Sequence, residues 1–154
     1  MNEVQTRRLT SGDRELARRM FVMMAEVFEE QNERVCDGYI DRVLNREEFW
    51  AIAAFIGDDI VGGLTAHTLP MTRAEASEVL LYDLAVRRDY QRRGVGRQLL
   101  TTLREAAADG GIQDVFVAAD TSDMHAVRFY TALGGVSSSV THFSFHMTTE
   151  TATF

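Results

Sequence analysis

The apolar positions of this chain fall into short runs of changing period, and each change of period marks a new element. Val4 to Leu9 can form a first strand. Ser11-Gly12-Asp13 then offers a helix N-cap, after which Leu16, Met20, Met23, Met24 and Val27 recur at the spacing of one helix face. A short amphipathic helix over Asp37 to Arg46 carries Tyr39, Ile40, Val43 and Leu44. Phe49 to Ile56 is an apolar run ended by Gly57-Asp58-Asp59, which is hairpin-turn chemistry, and Ile60 to Leu69 reads as the return strand closed by Pro70. Glu78 to Val86 is a further strand. The helix Gly94 to Ala108 sets Val95, Leu99, Leu100, Leu103 and Ala107 on one face and stops at Gly110. Ile112 to Ala119 reads as a buried strand, and Met124 to Leu133 as a helix stopped by Gly134-Gly135. Val136 to Met147 alternates through Val140, His142 or Phe143, and Phe145, which predicts two more short strands before a frayed tail from Thr148. The order predicts a mixed α/β (α+β) sheet, not a doubly wound one, because a hairpin runs through its middle before a strand–helix–strand crossover.

Composition narrows the class. The chain has 154 residues, enough for one domain with a real core, so residues 1–154 are expected to form a single domain. Hydrophobic residues make up 45% and charged residues 25%, and no apolar run approaches a membrane span. Met1 to Thr10 has no apolar signal core, so a cytoplasmic protein is expected, with no membrane partner. The single cysteine, Cys36, has no partner for an internal disulfide and no ligand spacing for zinc, and no metal is expected. A net charge of −7 argues against a nucleic-acid partner and suits a cationic small-molecule substrate.

The candidate chemistry lies between Tyr82 and Gly134. The strand ending at Val86 runs through Arg87-Arg88-Asp89-Tyr90 into Gln91-Arg92-Arg93-Gly94-Val95-Gly96 and then a helix. A glycine-containing turn at a helix N-terminus points backbone N–H groups at one spot, and the helix dipole adds positive potential there. Gly94 and Gly96 would let an anion approach the backbone, and Arg92, Arg93 and Arg97 would add charge for a pyrophosphate or ribose phosphate. Taken alone, the turn is equally a softened loop with solvated arginines. No Lys-Ser/Thr follows it and no G-x-G-x-x-G opens it, so it is neither a P-loop nor a Rossmann turn.

The stretch DLAVRRDYQRRGVGRQLL, followed about thirty residues later by AVRFYTALGG, resembles the GNAT N-acetyltransferase superfamily in motif, order and spacing. The Leu-Tyr-Asp-Leu-Ala-Val segment, with EFWAIAAFIGDDIVGGLTAHTLP, VFVAAD and THFSF, looks like type I aminoglycoside 3-N-acetyltransferases from about Tyr39 to Phe145. The resemblance implies a GNAT fold of about seven strands and four helices, acetyl-CoA as cofactor with coenzyme A as product, a cationic aminoglycoside substrate and a homodimer. It implies that the pantetheine arm lies beside the backbone of Leu84, Ala85 and Val86. The pyrophosphate would take Gln91, Arg92, Arg93, Gly94, Val95, Gly96 and Arg97.

Asp83 interrupts an apolar strand, where an acid must be paired, solvated or functional. The resemblance makes it general base for the acceptor amine; the alternative is a solvated aspartate. Tyr130 corresponds to a tyrosine near the cofactor sulfur, a proton donor to the thiolate, or else a packed helix aromatic. Many relatives carry an asparagine one turn earlier, where this chain has Met124 and His125, so His125 either contacts the pantetheine or is solvated. A polycationic drug needs acidic walls, for which Glu78, Asp120, Asp123, Glu29 and Glu30 are candidates. Asp123 could equally be a helix N-cap, and Glu29 and Glu30 a solvated face. His142 matches a histidine of the family's C-terminal strand, or is a core or rim histidine. Tyr82, alternating with Asp83, is expected in the core, and Met20, Met23 and Met24 are expected to pack.

Overall fold

A computed structural model describes residues 3–31 and 34–147; the expected frayed tail from Thr148 lies outside them. The chain divides into two compact units, Met1–Ala118 and Ala119–Phe154.

The first unit runs β1 (Gln5–Leu9), α1 (Arg14–Val27), α2 (Asp37–Leu44), β2 (Phe49–Ile56), β3 (Asp59–Pro70), β4 (Ser77–Val86), a 3₁₀ turn (Arg88–Tyr90), α3 (Val95–Asp109) and β5 (Val115–Val117). The sheet order is β1-β2-β3-β4-β5, antiparallel through β4, with β5 parallel to β4 after the α3 crossover. The β2–β3 hairpin turns on Gly57, whose φ of 59° is the left-handed conformation its turn requires. Asp13 takes the N-cap position of α1, but its carboxylate turns back to the Thr10 N–H (2.9 Å) instead of capping the helix.

Helices cover both faces of the sheet. Leu99, Leu103 and Ala107 of α3 pack with Ile52, Leu64 and Leu81 on one side. On the other, Ala17, Met20, Met23 and Met24 of α1 and Ile40 and Leu44 of α2 pack over Ala51, Ala53 and Ala85. Small residues at the sheet centre allow this approach. A Cβ on Gly63 would lie 2.6 Å from Met20 Cγ, and one on Gly62 would lie 2.9 Å from Val95 Cγ1. The α1 methionines pack as expected.

The second unit contains α4 (Met124–Ala132). Asp123 caps it, its carboxylate accepting from the Ala126 N–H at 3.1 Å. At the other end Gly134 takes φ 92°, and the Gly135 N–H donates to the Tyr130 carbonyl at 2.9 Å, so the glycine pair stops the helix as expected.

Two strand expectations need correction. The described residues hold five strands, not about seven: Val136 to Met147 alternates but forms no ladder, and Val136, Val140, Phe143, Phe145 and Met147 are exposed. A strand exists only with a hydrogen-bonded neighbour, and that segment has none among the described residues. The strand expected over Ile112 to Ala119 shrinks to Val115–Val117, with Phe116 exposed, and its pairing with β4 stops at Leu81, next to a bulge in β4.

Candidate active site

The bulge sets the geometry. Thr65 of β3 pairs with Asp83 while the adjacent Ala66 pairs with Leu81, so Tyr82 is an extra residue with no partner. Inserting one residue reverses the alternation of everything after it. Val79 and Leu81 face α3 before the bulge; after it Leu84 and Val86 do, and Ala85 packs on the α1 side. Asp83 therefore shares the α1 face with Ala85, where an unbroken strand would have turned it towards α3. Tyr82, expected in the core, is 63% exposed, its ring edge-on to His67 at 5.7 Å, and His67 in turn lies 5.5 Å from Phe49.

Asp83 is half-buried, and among the described residues no hydrogen bond or ion pair reaches its carboxylate. Burial pushes its pKa above the ordinary aspartate value, and the negative charge of Glu30 pushes it further in the same direction. Glu30 lies just past the end of α1, so the two carboxylates come from separate elements. Its neighbour Glu29 is already engaged, accepting from Arg88 Nη2. A half-buried carboxylate under the charge of a second acid is matched by a cation.

The bulge also opens an edge. Parallel pairing of β4 with β5 ends at Leu81, so Leu84, Ala85 and Val86 are laddered only to β3. The Gln91 side-chain amide donates to the Val86 carbonyl at 3.0 Å, which ties the following turn back onto the strand. Within that turn Arg92 (φ 61°) and Gly94 (φ 80°) are left-handed while Arg93 is not, the alternation that makes backbone N–H groups converge on an anion. Gly94 is also the N-cap of α3, which has no side-chain cap and no acidic residue in its first turn. Apart from its chain neighbours, no atom of the described residues lies within 4 Å of where a Cβ on Gly94 would stand. Arg92, Arg93 and Arg97 are exposed and form no ion pair among the described residues; Arg93 lies 5.4 Å from the Tyr90 ring. Val95 and Gly96, in the first turn of α3, are buried. A helix N-terminus with no side-chain cap, alternating turn conformations and three exposed guanidinium groups fit a polyphosphate. An extended arm could pair with the free edge of β4.

The other expected residues lie further along β4 or in the second unit. Glu78, the second residue of β4, pairs with Leu69, five residues or about 16 Å along the strand from Asp83. In the second unit, Asp120 accepts from the Ser122 N–H (2.9 Å) and Oγ (2.6 Å), which hold its carboxyl below its ordinary pKa. Asp123 serves as the N-cap of α4. His125 and His142 are exposed, and the strand expected around His142 is absent. Tyr130 is half-buried, its ring 5.0 Å from that of Phe129. The sequence reading missed His67 and Arg88. A half-buried polar pair, Thr65 and His67, alternating with buried Leu64 and Ala66, was the available signal for the first. Arg88 had none, since its partner is 59 residues away.

Residues 14–134 match the acetyltransferase (GNAT) family. None of the curated proteins matches the chain. Among solved structures it is similar to an aminoglycoside acetyltransferase, meta-AAC0020, from an uncultured soil metagenomic sample. In its trehalose complex the identity is 30%, covering 94% of this chain and 97% of that one, with a TM-score of 0.90. The sisomicin complex of the same protein matches at 28% identity over the same shares, with a TM-score of 0.91. A second aminoglycoside acetyltransferase from an uncultured soil sample, HMB0005, is 32% identical over 95% of this chain and 99% of its own, with a TM-score of 0.90.

Proposed function

The chain belongs to the GNAT acetyltransferase family, and from that premise we propose that it acetylates the 3-amino group of an aminoglycoside, with antibiotic resistance as the consequence. The observation that carries this reading is Asp83: a half-buried carboxylate with no hydrogen bond among the described residues, under the charge of Glu30, on the strand that leads into the Arg92–Gly94 turn. The two soil acetyltransferases at 30% and 32% identity, one solved with sisomicin, support the choice of substrate class.

Acetyl-CoA, when bound, supplies the acetyl group as a reactive thioester. The first-turn N–H groups of α3 and Arg92, Arg93 and Arg97 would hold its pyrophosphate, and the β4 edge from Leu84 to Val86 its pantetheine arm. Asp83 binds the acceptor as an ammonium and accepts a proton from it, directly or through water, leaving the lone pair that attacks. Its raised pKa makes it a better proton acceptor at neutral pH than an ordinary aspartate. Glu30 adds a second negative charge for a polycationic acceptor. Thr65, His67 and Tyr82 give that face of the sheet a polar and aromatic surface on which a sugar ring can rest. Holding acceptor and thioester together supplies much of the rate, because the thioester needs little activation. The family resemblance assigns Tyr130 as proton donor to the departing thiolate.

The test is a thiol-release assay with gentamicin, kanamycin, sisomicin, spermidine and peptides, followed by the regiochemistry of the product. Turnover confined to aminoglycosides, with acetyl on the 3-amino group, is expected. Turnover only with spermidine or peptides would overturn the substrate, and a 6′-acetylated product would overturn the position.

A further inference from the structure

The chain leaves α1 through a strained residue. The Glu30 N–H donates to the Ala25 carbonyl at 3.0 Å and the Glu29 N–H to that of Glu26 at 3.1 Å, a paired closure that requires a left-handed residue at position 29. Glu29 takes it with φ 57°. Glycine is the ordinary occupant of such a position because it has no Cβ to clash with the following carbonyl. A glutamate there is held against its own preference, and strain of this kind persists where the side chain has a task.

The task is visible in the contacts. Glu29 accepts from Arg88 Nη2, across 59 residues of chain, so the end of α1 is tied to the connection between β4 and the anion-binding turn. Arg87, beside it, is occupied with Asp89 (3.1 Å) and the Tyr90 ring (5.1 Å), which leaves Arg88 as the guanidinium turned to α1. The residue immediately after the tether is Glu30, at the exit of the helix that packs over Ala85 on the sheet face shared with Asp83.

We propose that the Glu29–Arg88 ion pair is a latch that fixes the exit of α1 and so holds Glu30 beside Asp83, making Glu29 and Arg88 positioning residues for the acceptor amine. Glu29 then acts on the substrate only through its neighbour, although the sequence suggested it as an acidic wall itself. The latch deepens the acceptor reading of Asp83 and rests on it. Its side chains are 72% and 71% exposed, so water and salt weaken the pair and its effect is on placement more than on stability.

The experiment compares wild type, Glu29→Gly, Arg88→Ala and the double variant in the full chain. Glycine suits the left-handed position, so Glu29→Gly is expected to melt at or above the wild-type temperature while its KM for sisomicin rises about twofold to fivefold. The KM for acetyl-CoA and kcat should stay within about twofold, and the double variant should be no worse than either single one, because both remove the same contact. An unchanged sisomicin KM in Glu29→Gly, additive losses in the double variant, or a rise confined to the acetyl-CoA KM would each overturn the latch. A readout without any acceptor separates it from the substrate assignment. Carbon-13 NMR titration of Asp83 should give a lower pKa in Glu29→Gly and Arg88→Ala than in wild type, because Glu30 is released. An unmoved Asp83 titration refutes the latch even if the drug is acetylated. A lowered one upholds it even if sisomicin proves not to be the substrate.

Discussion

Replacing Asp83 with asparagine separates catalysis from folding, because the structure predicts opposite signs for the two. The exchange keeps size and shape and removes the charge and the basicity. If Asp83 takes the proton from the acceptor, kcat should fall by about 10² to 10⁴, a barrier increase of about 3 to 5 kcal/mol. The lost ammonium contact should also raise the KM for the drug. Stability should move the other way. The folded-state pKa of Asp83 is raised, first by burial and then by Glu30, so the folded protein binds this proton more tightly than the unfolded chain. Linkage then gives a contribution that is fully present below the ordinary aspartate value of 3.8 and is lost as pH rises through the folded-state value. At neutral pH the ionised carboxylate therefore strains the fold, and Asp83→Asn should melt at or above the wild-type temperature, with the advantage disappearing in acid. The assay is a pH–rate profile with gentamicin for both proteins, with thermal melts at neutral pH and near pH 4. A residue that only bound charge would let the variant recover fully at high pH as free amine becomes abundant; a base leaves a deficit. Near wild-type rates across the range would refute the catalytic assignment. A variant markedly less stable than wild type at neutral pH would refute the reading of Asp83 as an under-satisfied charge.

Three further outcomes test other residues of the proposed function. Glu30→Gln removes the charge that raises Asp83, so the acidic limb of the pH–rate profile should move to lower pH while the drug KM rises; an unmoved limb would show that Glu30 does not act on Asp83. Gly94→Val meets no neighbouring atom but must take φ 80°, so it should cost about 1 to 2 kcal/mol in a thermal melt and weaken acetyl-CoA binding in calorimetry by more than the fold loses; unchanged cofactor affinity in a folded variant would remove the turn from the pyrophosphate site. Tyr130→Phe should lower turnover about tenfold or more if the hydroxyl delivers a proton, and wild-type turnover would return Tyr130 to packing against Phe129.

Much of the fold was legible because it is written in local periods. The β2–β3 hairpin follows from an apolar run, a left-handed glycine and a return run. Helix α3 follows from Val95, Leu99, Leu103 and Ala107 on one face, and the turn before it from its glycines and arginines. Each depends on residues within a few positions of one another, where sterics and burial act without reference to the rest of the chain. Asp83 could be singled out for the same reason, as an acid inside an apolar strand.

What the sequence could not determine depends on partners far away in the chain. The bulge at Tyr82 exists only in the register between β4 and β3, yet it decides that Asp83 faces α1 and Glu30, that Tyr82 is exposed, and that β5 ends after three residues. Val136 to Met147 alternates as two short strands would, yet no ladder forms there among the described residues, because a ladder needs a neighbour that the pattern does not name. Glu29 reads in the sequence as an acidic wall or a solvated face; its left-handed backbone and its tie to Arg88 appear only once α1 ends against the β4 connection. Local preference sets the elements, but register and pairing between distant segments set which side chains meet, and those are settled by the free energy of the whole packed sheet.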